Sequence, residues 1–175
     1  MVPGSFEALS SFELPICRWL NRVENSLVLA FFRGVSWLGD WPLWLALALL
    51  YGFWGGAEAK PALGHVLVLS LVSLPLYKVM KERMARERPY VQHSTAIAML
   101  VAPLDRYSFP SGHTLHAVAF TLLWTHYYPG LGWVLIPFTV AVAFSRVVLG
   151  VHYPSDVVAG TAIGTVLASL SFLVV

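Results

Sequence analysis

Apolar residues run through this chain in blocks separated by shorter polar stretches, and from Pro42 onward the blocks are clear. Pro42 to about Gly56, Pro61 to about Met80, His113 to about Tyr128, Gly132 to about Leu149 and Pro154 to Val175 each predict a membrane helix. Some are short against the ~20 residues that cross a hydrocarbon core, which implies a thin or tilted bundle. Ser26 to Leu38 is apolar apart from Arg33 but shorter still, so whether it crosses or lies along the surface is left open. Residues 1 to 24 mix acidic, basic and apolar side chains and predict an interfacial helix. The expected architecture is therefore all-α: a polytopic membrane helix bundle with five spans and one doubtful N-terminal span or interfacial helix.

Details within the blocks refine this picture. Pro75 and Pro137 lie inside spans and are expected to kink them. Trp41, Trp44, Trp54, Tyr127, Tyr128 and Trp133 fall near span ends, as interfacial aromatics do. Gly160, Gly164 and Ala168 form a small-residue stripe in the last span, suited to close helix packing inside the bundle or, alternatively, to a homo-oligomer seam. The connections are unequal. Gly56 to Lys60 and Pro129 to Leu131 are minimal turns on one side, whereas 81–112 and 145–156 are polar and lie on the other. The chain divides into an N-terminal segment, 1–40, and a membrane core, 41–175, that carries these two loops.

Composition agrees: 58% of residues are hydrophobic and 11% charged, too little polar surface to cover a soluble globule. The net charge of +2 comes without a basic tail or Lys/Arg stripe, which excludes nucleic acid as a partner. Cys17, the single cysteine, excludes an internal disulfide and a Cys-based zinc cluster. The N-terminus lacks a positive region followed by an apolar core and does not read as a cleaved signal peptide.

The chemistry concentrates in three blocks on the polar side. Lys81 to Pro89 reads KERMARERP, Pro110 to His113 reads PSGH, and Ser145 to Asp156 reads SRVVLGVHYPSD. In the third, Pro154 suits the first turn of a helix, so His152 would sit at the helix mouth with Asp156 within a turn of it. A histidine held by a carboxylate is a prepared nucleophile or base. The blocks together bring cations (Lys81, Arg88, Arg146), a hydroxyl (Ser111), a backbone N–H at a helix start (Gly112) and two histidines. Cations and helix-start N–H groups match the oxygens of a phosphoryl group.

The pattern K-x6-RP, PSGH, SR-x5-H-x3-D closely resembles the type-2 phosphatidic acid phosphatase superfamily, over about Pro42 to Val175. The resemblance implies a metal-independent hydrolase of a lipid phosphate or pyrophosphate, with no cofactor. In that scheme His152 attacks phosphorus and forms a phosphohistidine, Asp156 orients its ring, and His113 serves as general acid and then base. Lys81, Arg88, Arg146, Ser111 and the Gly112 N–H hold the phosphoryl oxygens. It also implies a bacterial inner membrane, with the site towards the periplasm despite the cations on that side. The substrates of its bacterial members include phosphatidic acid, phosphatidylglycerophosphate, undecaprenyl pyrophosphate and lipid A. A lipid phosphotransferase and a non-catalytic lipid binder or transporter are the alternatives.

Outside the pattern, Lys78, Arg83 and Arg86 read as membrane anchors. His116 reads as packing or a supporting hydrogen bond, and His65, His93 and His126 are unassigned. Asp105 and Arg106 are expected to tie down the loop before PSGH, and the apolar run Ala96 to Val101 to dip into the interface and admit a lipid tail.

Overall fold

The computed structural model describes residues 6–174, and among them every regular element is helical. The elements run α1 (Glu7–Asn21), α2 (Ser26–Leu38), α3 (Pro42–Trp54), α4 (Ala59–Met84), a one-turn α5 (Pro89–Gln92), α6 (Gly112–Tyr127), α7 (Gly132–Val148) and α8 (Pro154–Ser171). The helix limits follow local chemistry. The Asn25 carboxamide accepts from the N–H groups of Leu27 and Val28 at 2.9 and 3.2 Å and starts α2. Pro42 and Pro154 stand in the first turns of α3 and α8, where the missing N–H costs nothing. Ala85, left-handed at φ 47°, stops α4 and turns the chain into the first polar loop.

Trp44, Leu47, Leu69, Phe120, Leu123, Trp124, Leu135 and Val142 build one core between α3, α4, α6 and α7. The α6–α8 pair is the most extensive helix contact. There the small-residue stripe is used inside the chain. A Cβ on Gly160 would stand 2.6 Å from the Ser111 carbonyl oxygen, and one on Gly164 would overlap the Leu115 carbonyl. Leu67, Leu71, Trp54 and Trp133 are exposed on the outside of the bundle.

Two stretches, Gly56–Gln92 and Pro129–Val148, contain helices long and apolar enough to cross a membrane, and Ser26–Leu38 and Pro42–Trp54 are shorter apolar helices. Helix α2 lies at the polar end of the bundle. Arg33 Nε donates to the Leu100 carbonyl at 2.8 Å, Ser36 bonds Arg146, and Gly39 packs on Val142. With 13 residues, α2 is about 20 Å long, and these successive contacts seat its second half antiparallel beside the last two turns of α7. Helix α1 lies there too, its Asn21 carboxamide donating to the Ala98 and Val148 carbonyls at 3.1 and 3.0 Å.

Trp44 departs from the interfacial placement expected of it. It is buried against Phe120 and Phe138, its indole N–H satisfied by the Gly39 carbonyl at 3.0 Å. Replacing Gly164 with leucine forces α6 and α8 apart. The expected cost is about 1–3 kcal/mol, read as a lower unfolding midpoint of the detergent-solubilised protein.

Candidate active site

The three polar blocks meet at one end of the bundle because four helix ends coincide there: the C-termini of α4 and α7 and the N-termini of α6 and α8. Gly150, at φ +77°, reverses the chain after α7. The N–H groups of Val151 and His152 then return to the Arg146 carbonyl at 3.2 and 3.1 Å. His152 is thereby held beside α8, buried to 1% exposure.

The ring of His152 is oriented by its surroundings. Nδ1 faces Asp156 Oδ2 at 3.6 Å, longer than a hydrogen bond, and has no other partner among the described residues. Nε2 lies 3.4 Å from Arg88 Nη1. Burial first, and then the charges of Arg88, Arg146 and Lys81, push His152 well below its ordinary range. The ring is therefore neutral at pH 7. Its environment favours the proton on Nδ1, towards the carboxylate, and a lone pair on Nε2, towards the cations.

Asp156 is fully buried and tightly held. Oδ2 accepts from the Tyr153 N–H at 2.8 Å, and Oδ1 from Arg86 Nη1 at 2.6 Å. Its backbone carbonyl accepts from the Ser111 N–H at 3.0 Å, which ties the PSGH block to α8.

The cations converge from different elements. Lys81 Nζ donates to Asp105 Oδ1 at 2.6 Å and to the Tyr107 carbonyl at 2.8 Å. Arg88 donates to the same Asp105 oxygen at 2.8 Å, to the Asp105 carbonyl at 3.1 Å and to the Val151 carbonyl at 2.7 Å. Arg146 reaches Ser36 on α2. Asp105 thus bridges two cations, Lys81 and Arg88. Its carboxylate stands where an anionic ligand of those cations would.

A cavity of about 450 Å³ opens on this cluster. Lys81, Arg88, Gly112, His113, Arg146 and His152 line one part, together with Asp40, Asp105 and His116. Trp41, Trp44, Leu45, Ala48, Val66, Leu74 and Phe120 line the rest. His113 Nε2 is 3.9 Å from Asp40 Oδ1. His116 lines the wall while its Nδ1 bonds the Gly112 carbonyl at 2.9 Å. Ser111 is placed differently from the other site residues: it is fully buried, its hydroxyl 2.9 Å from that of Thr114, and it caps α6 behind the cavity wall.

Several placements lie outside what the linear pattern suggested. Arg86 is no surface anchor; it is buried between Asp156 and Glu13. Asp40, Ser36 and Glu13 also join the assembly, and only their polarity in largely apolar surroundings could have flagged them. The run Ala96 to Val101 does not line the cavity; Ile97 is buried with Cys17, Val147 and Tyr153 under α1. Tyr153 and Gln92 close this side, with the phenol donating to Gln92 Oε1 at 2.7 Å.

Comparisons with known proteins agree with this arrangement. The PAP2 superfamily matches residues 62–175. Decaprenylphosphoryl-5-phosphoribose phosphatase of Mycobacterium tuberculosis is 35% identical over 155 residues, covering 85% of this chain and 81% of that protein. Undecaprenyl-diphosphatase of Sulfolobus acidocaldarius is 41% identical over 113 residues, covering 62% of this chain and 53% of its own. A transmembrane PAP2-type phosphatidylglycerolphosphate phosphatase from Bacillus subtilis superposes with a TM-score of 0.76 at 24% identity, covering 96% of this chain and 86% of that one. The sequence match reaches from α4 to the end of the chain, over the helices whose ends bring Lys81, Arg88, His113, Arg146 and His152 to one cavity, and the chain belongs to the PAP2 superfamily as a membrane phosphatase.

Proposed function

We propose that this protein hydrolyses the terminal phosphate of a membrane lipid phosphate or pyrophosphate, through a phosphohistidine and without a metal ion. The observation that carries this reading is the single cavity with a cationic, histidine-bearing part continuous with a wall of Trp41, Trp44, Leu45, Ala48 and Phe120. Such a cavity suits an amphiphile: the phosphoryl group meets Lys81, Arg88 and Arg146, and the hydrocarbon lies against α3 and α4. Two relatives are named for polyprenyl-linked substrates, which makes polyprenyl phosphates the first lipids to assay beside phosphatidic acid and phosphatidylglycerophosphate.

The chemistry is read from the ring environment of His152 and from the place of His113 on the cavity wall. The Nε2 lone pair of His152 attacks phosphorus in line while the bond to the leaving oxygen breaks. His113, on the cavity wall beside Asp40, gives its proton to that oxygen. His113 then takes a proton from water as the water attacks phosphorus, and the P–N bond breaks to release phosphate and restore His152. Asp156 stabilises the positive charge that forms on the His152 ring. The cations and the Gly112 N–H at the start of α6 hold the equatorial oxygens, and Ser111 fixes that helix start. Before substrate binds, the Asp105 carboxylate occupies Lys81 and Arg88, so the incoming phosphoryl group displaces it.

Five crossings, α3, α4, α6, α7 and α8, in a bacterial inner membrane with the site on the outer side, complete the proposal, with 1–40 an interfacial segment and 41–175 the catalytic core. The cations at that end argue for the cytoplasm by the positive-inside rule, but three of them serve the phosphoryl group and are weak topology signals.

Three tests follow. His152→Ala abolishes phosphate release in excess EDTA, and His113→Ala lowers it by about 10²- to 10⁴-fold; near-normal release by both variants overturns the mechanism. Ala48→Trp fills the apolar part of the cavity and lowers kcat/KM for a long-chain lipid phosphate far more than for a short water-soluble ester. An equal effect on both sinks the lipid assignment. For sidedness, Ser94 and Glu58 are exposed at opposite ends of the bundle. The native Cys17 is buried, and burial pushes its thiol up to about 12, so it does not interfere. In intact cells an impermeant maleimide labels Ser94→Cys and spares Glu58→Cys; the reverse result places the site in the cytoplasm.

A further inference from the structure

Arg86 is 2% exposed and lies between two aromatic faces, its guanidinium carbon 4.0 Å from the centre of the Tyr153 ring and 4.8 Å from that of Phe6. One arm of the fork holds Asp156 Oδ1 at 2.6 Å and the Ser155 hydroxyl at 2.7 Å. The other holds Glu13 Oε2 at 2.8 Å and Ser10 Oγ at 3.0 Å. Glu13, itself buried, also accepts from the Ser155 N–H at 2.6 Å and from the Ser155 hydroxyl at 2.9 Å. A carboxylate from α1 is therefore lodged at the first turn of α8, one residue from Asp156. There it meets the positive end of the helix dipole.

We infer that Glu13, acting through Arg86, is a positioning residue for the Asp156–His152 pair, so that the active site is completed by the N-terminal helix. This rests on the reading of His152 as nucleophile. The physical reason is competition for charge. An arginine buried with Asp156 alone would concentrate on that carboxylate and weaken its hold on the imidazolium that forms at His152. Glu13 takes a share of the guanidinium. Asp156 then keeps Oδ1 pinned to Arg86 while Oδ2 stays turned towards Nδ1 of His152.

Anchoring α1 does not require this ionic chain. Leu14, Cys17 and Leu20 already pack against Ile97, Val147 and Tyr153. Burying charges costs desolvation that an apolar contact avoids. The outer face of α1 presents Leu9, Phe12, Ile16 and Trp19 away from the bundle, while Ser10, Glu13 and Cys17 face inward. The seat of α1 at the interface and the geometry of the nucleophile are thus joined through one side chain. Glu13 lies outside residues 62–175, the segment that matches the family.

The test is steady-state phosphate release from phosphatidic acid in mixed micelles by wild type, His152→Ala, Glu13→Gln and the double variant Glu13→Leu/Arg86→Met. Each protein's unfolding midpoint is measured alongside. Glu13→Gln is expected to lower kcat by about 10- to 100-fold with KM within about twofold, because the fold stands and only the nucleophile's alignment suffers. The double variant removes both charges but also strips Asp156 Oδ1 of its partner, so it is expected to unfold at a lower midpoint and, per folded molecule, to remain slow. Unchanged kcat in Glu13→Gln overturns the inference, as does a loss accounted for by a smaller folded fraction, or recovery of kcat in the double variant. Activity surviving in His152→Ala overturns the nucleophile reading and this inference with it; a dead His152→Ala beside a fully active Glu13→Gln overturns the inference alone.

Discussion

The arrangement depends on Asp156, a carboxylate sealed at the first turn of α8. Its two side-chain oxygens and its backbone carbonyl reach all three polar blocks: Arg86 in the first, Ser111 in the second, and Tyr153 beside His152 in the third. A buried carboxylate is tolerated only when its oxygens are satisfied, so each of those contacts is a condition on the others. The close α6–α8 approach at Gly160 and Gly164 supports the same junction, since it brings the start of α6 under the start of α8. Backbone packing in the bundle and side-chain geometry in the site are one problem here.

A second constraint is electrostatic. Lys81, Arg88 and Arg146 are all buried at one end of an apolar bundle, where like charges repel strongly and water is scarce. The cluster is held by groups of the protein itself: Asp105 between Lys81 and Arg88, backbone carbonyls of Tyr107 and Val151, and Ser36 at Arg146. Burial, and then those same cations, keep His152 neutral, because a protonated ring would be a further charge in a dry, already positive group. A neutral ring with a free Nε2 is what an attack on phosphorus needs. In the proposed mechanism, holding the phosphoryl group and preparing His152 are thus consequences of one charge distribution.

The cavity joins this cluster to the apolar, partly exposed sides of α3 and α4. Trp41 and Trp44, at the start of α3, line it together with Leu45, Ala48, Val66 and Leu74. Trp44 is fixed by its bond to Gly39 and by Phe120 and Phe138, so the passage has a rigid side. Polar groups at one end and hydrocarbon at the other give the site the amphiphilic character of a membrane interface.

The sequence by itself determined the helices and the main polar residues of the site. Long apolar runs leave a chain in lipid few options except helix, because backbone groups must be satisfied within the segment. The blocks at Lys81–Pro89, Pro110–His113 and Ser145–Asp156 fall at helix ends that the same runs define. Only the tertiary structure decided which polar residues belong to those blocks. Arg86 reads like its neighbour Arg83 in the sequence, yet one is buried and the other is exposed. Glu13, Asp40 and Ser36 come from the N-terminal 40 residues and meet the site through contacts 70 or more residues away along the chain. The apolar run at Ala96–Val101 could cover lipid or protein equally well by composition; the docking of α1 buries Ile97 instead. Periodicity reports how one segment meets its surroundings, whereas the partner of a buried charge is set by where another segment comes to rest.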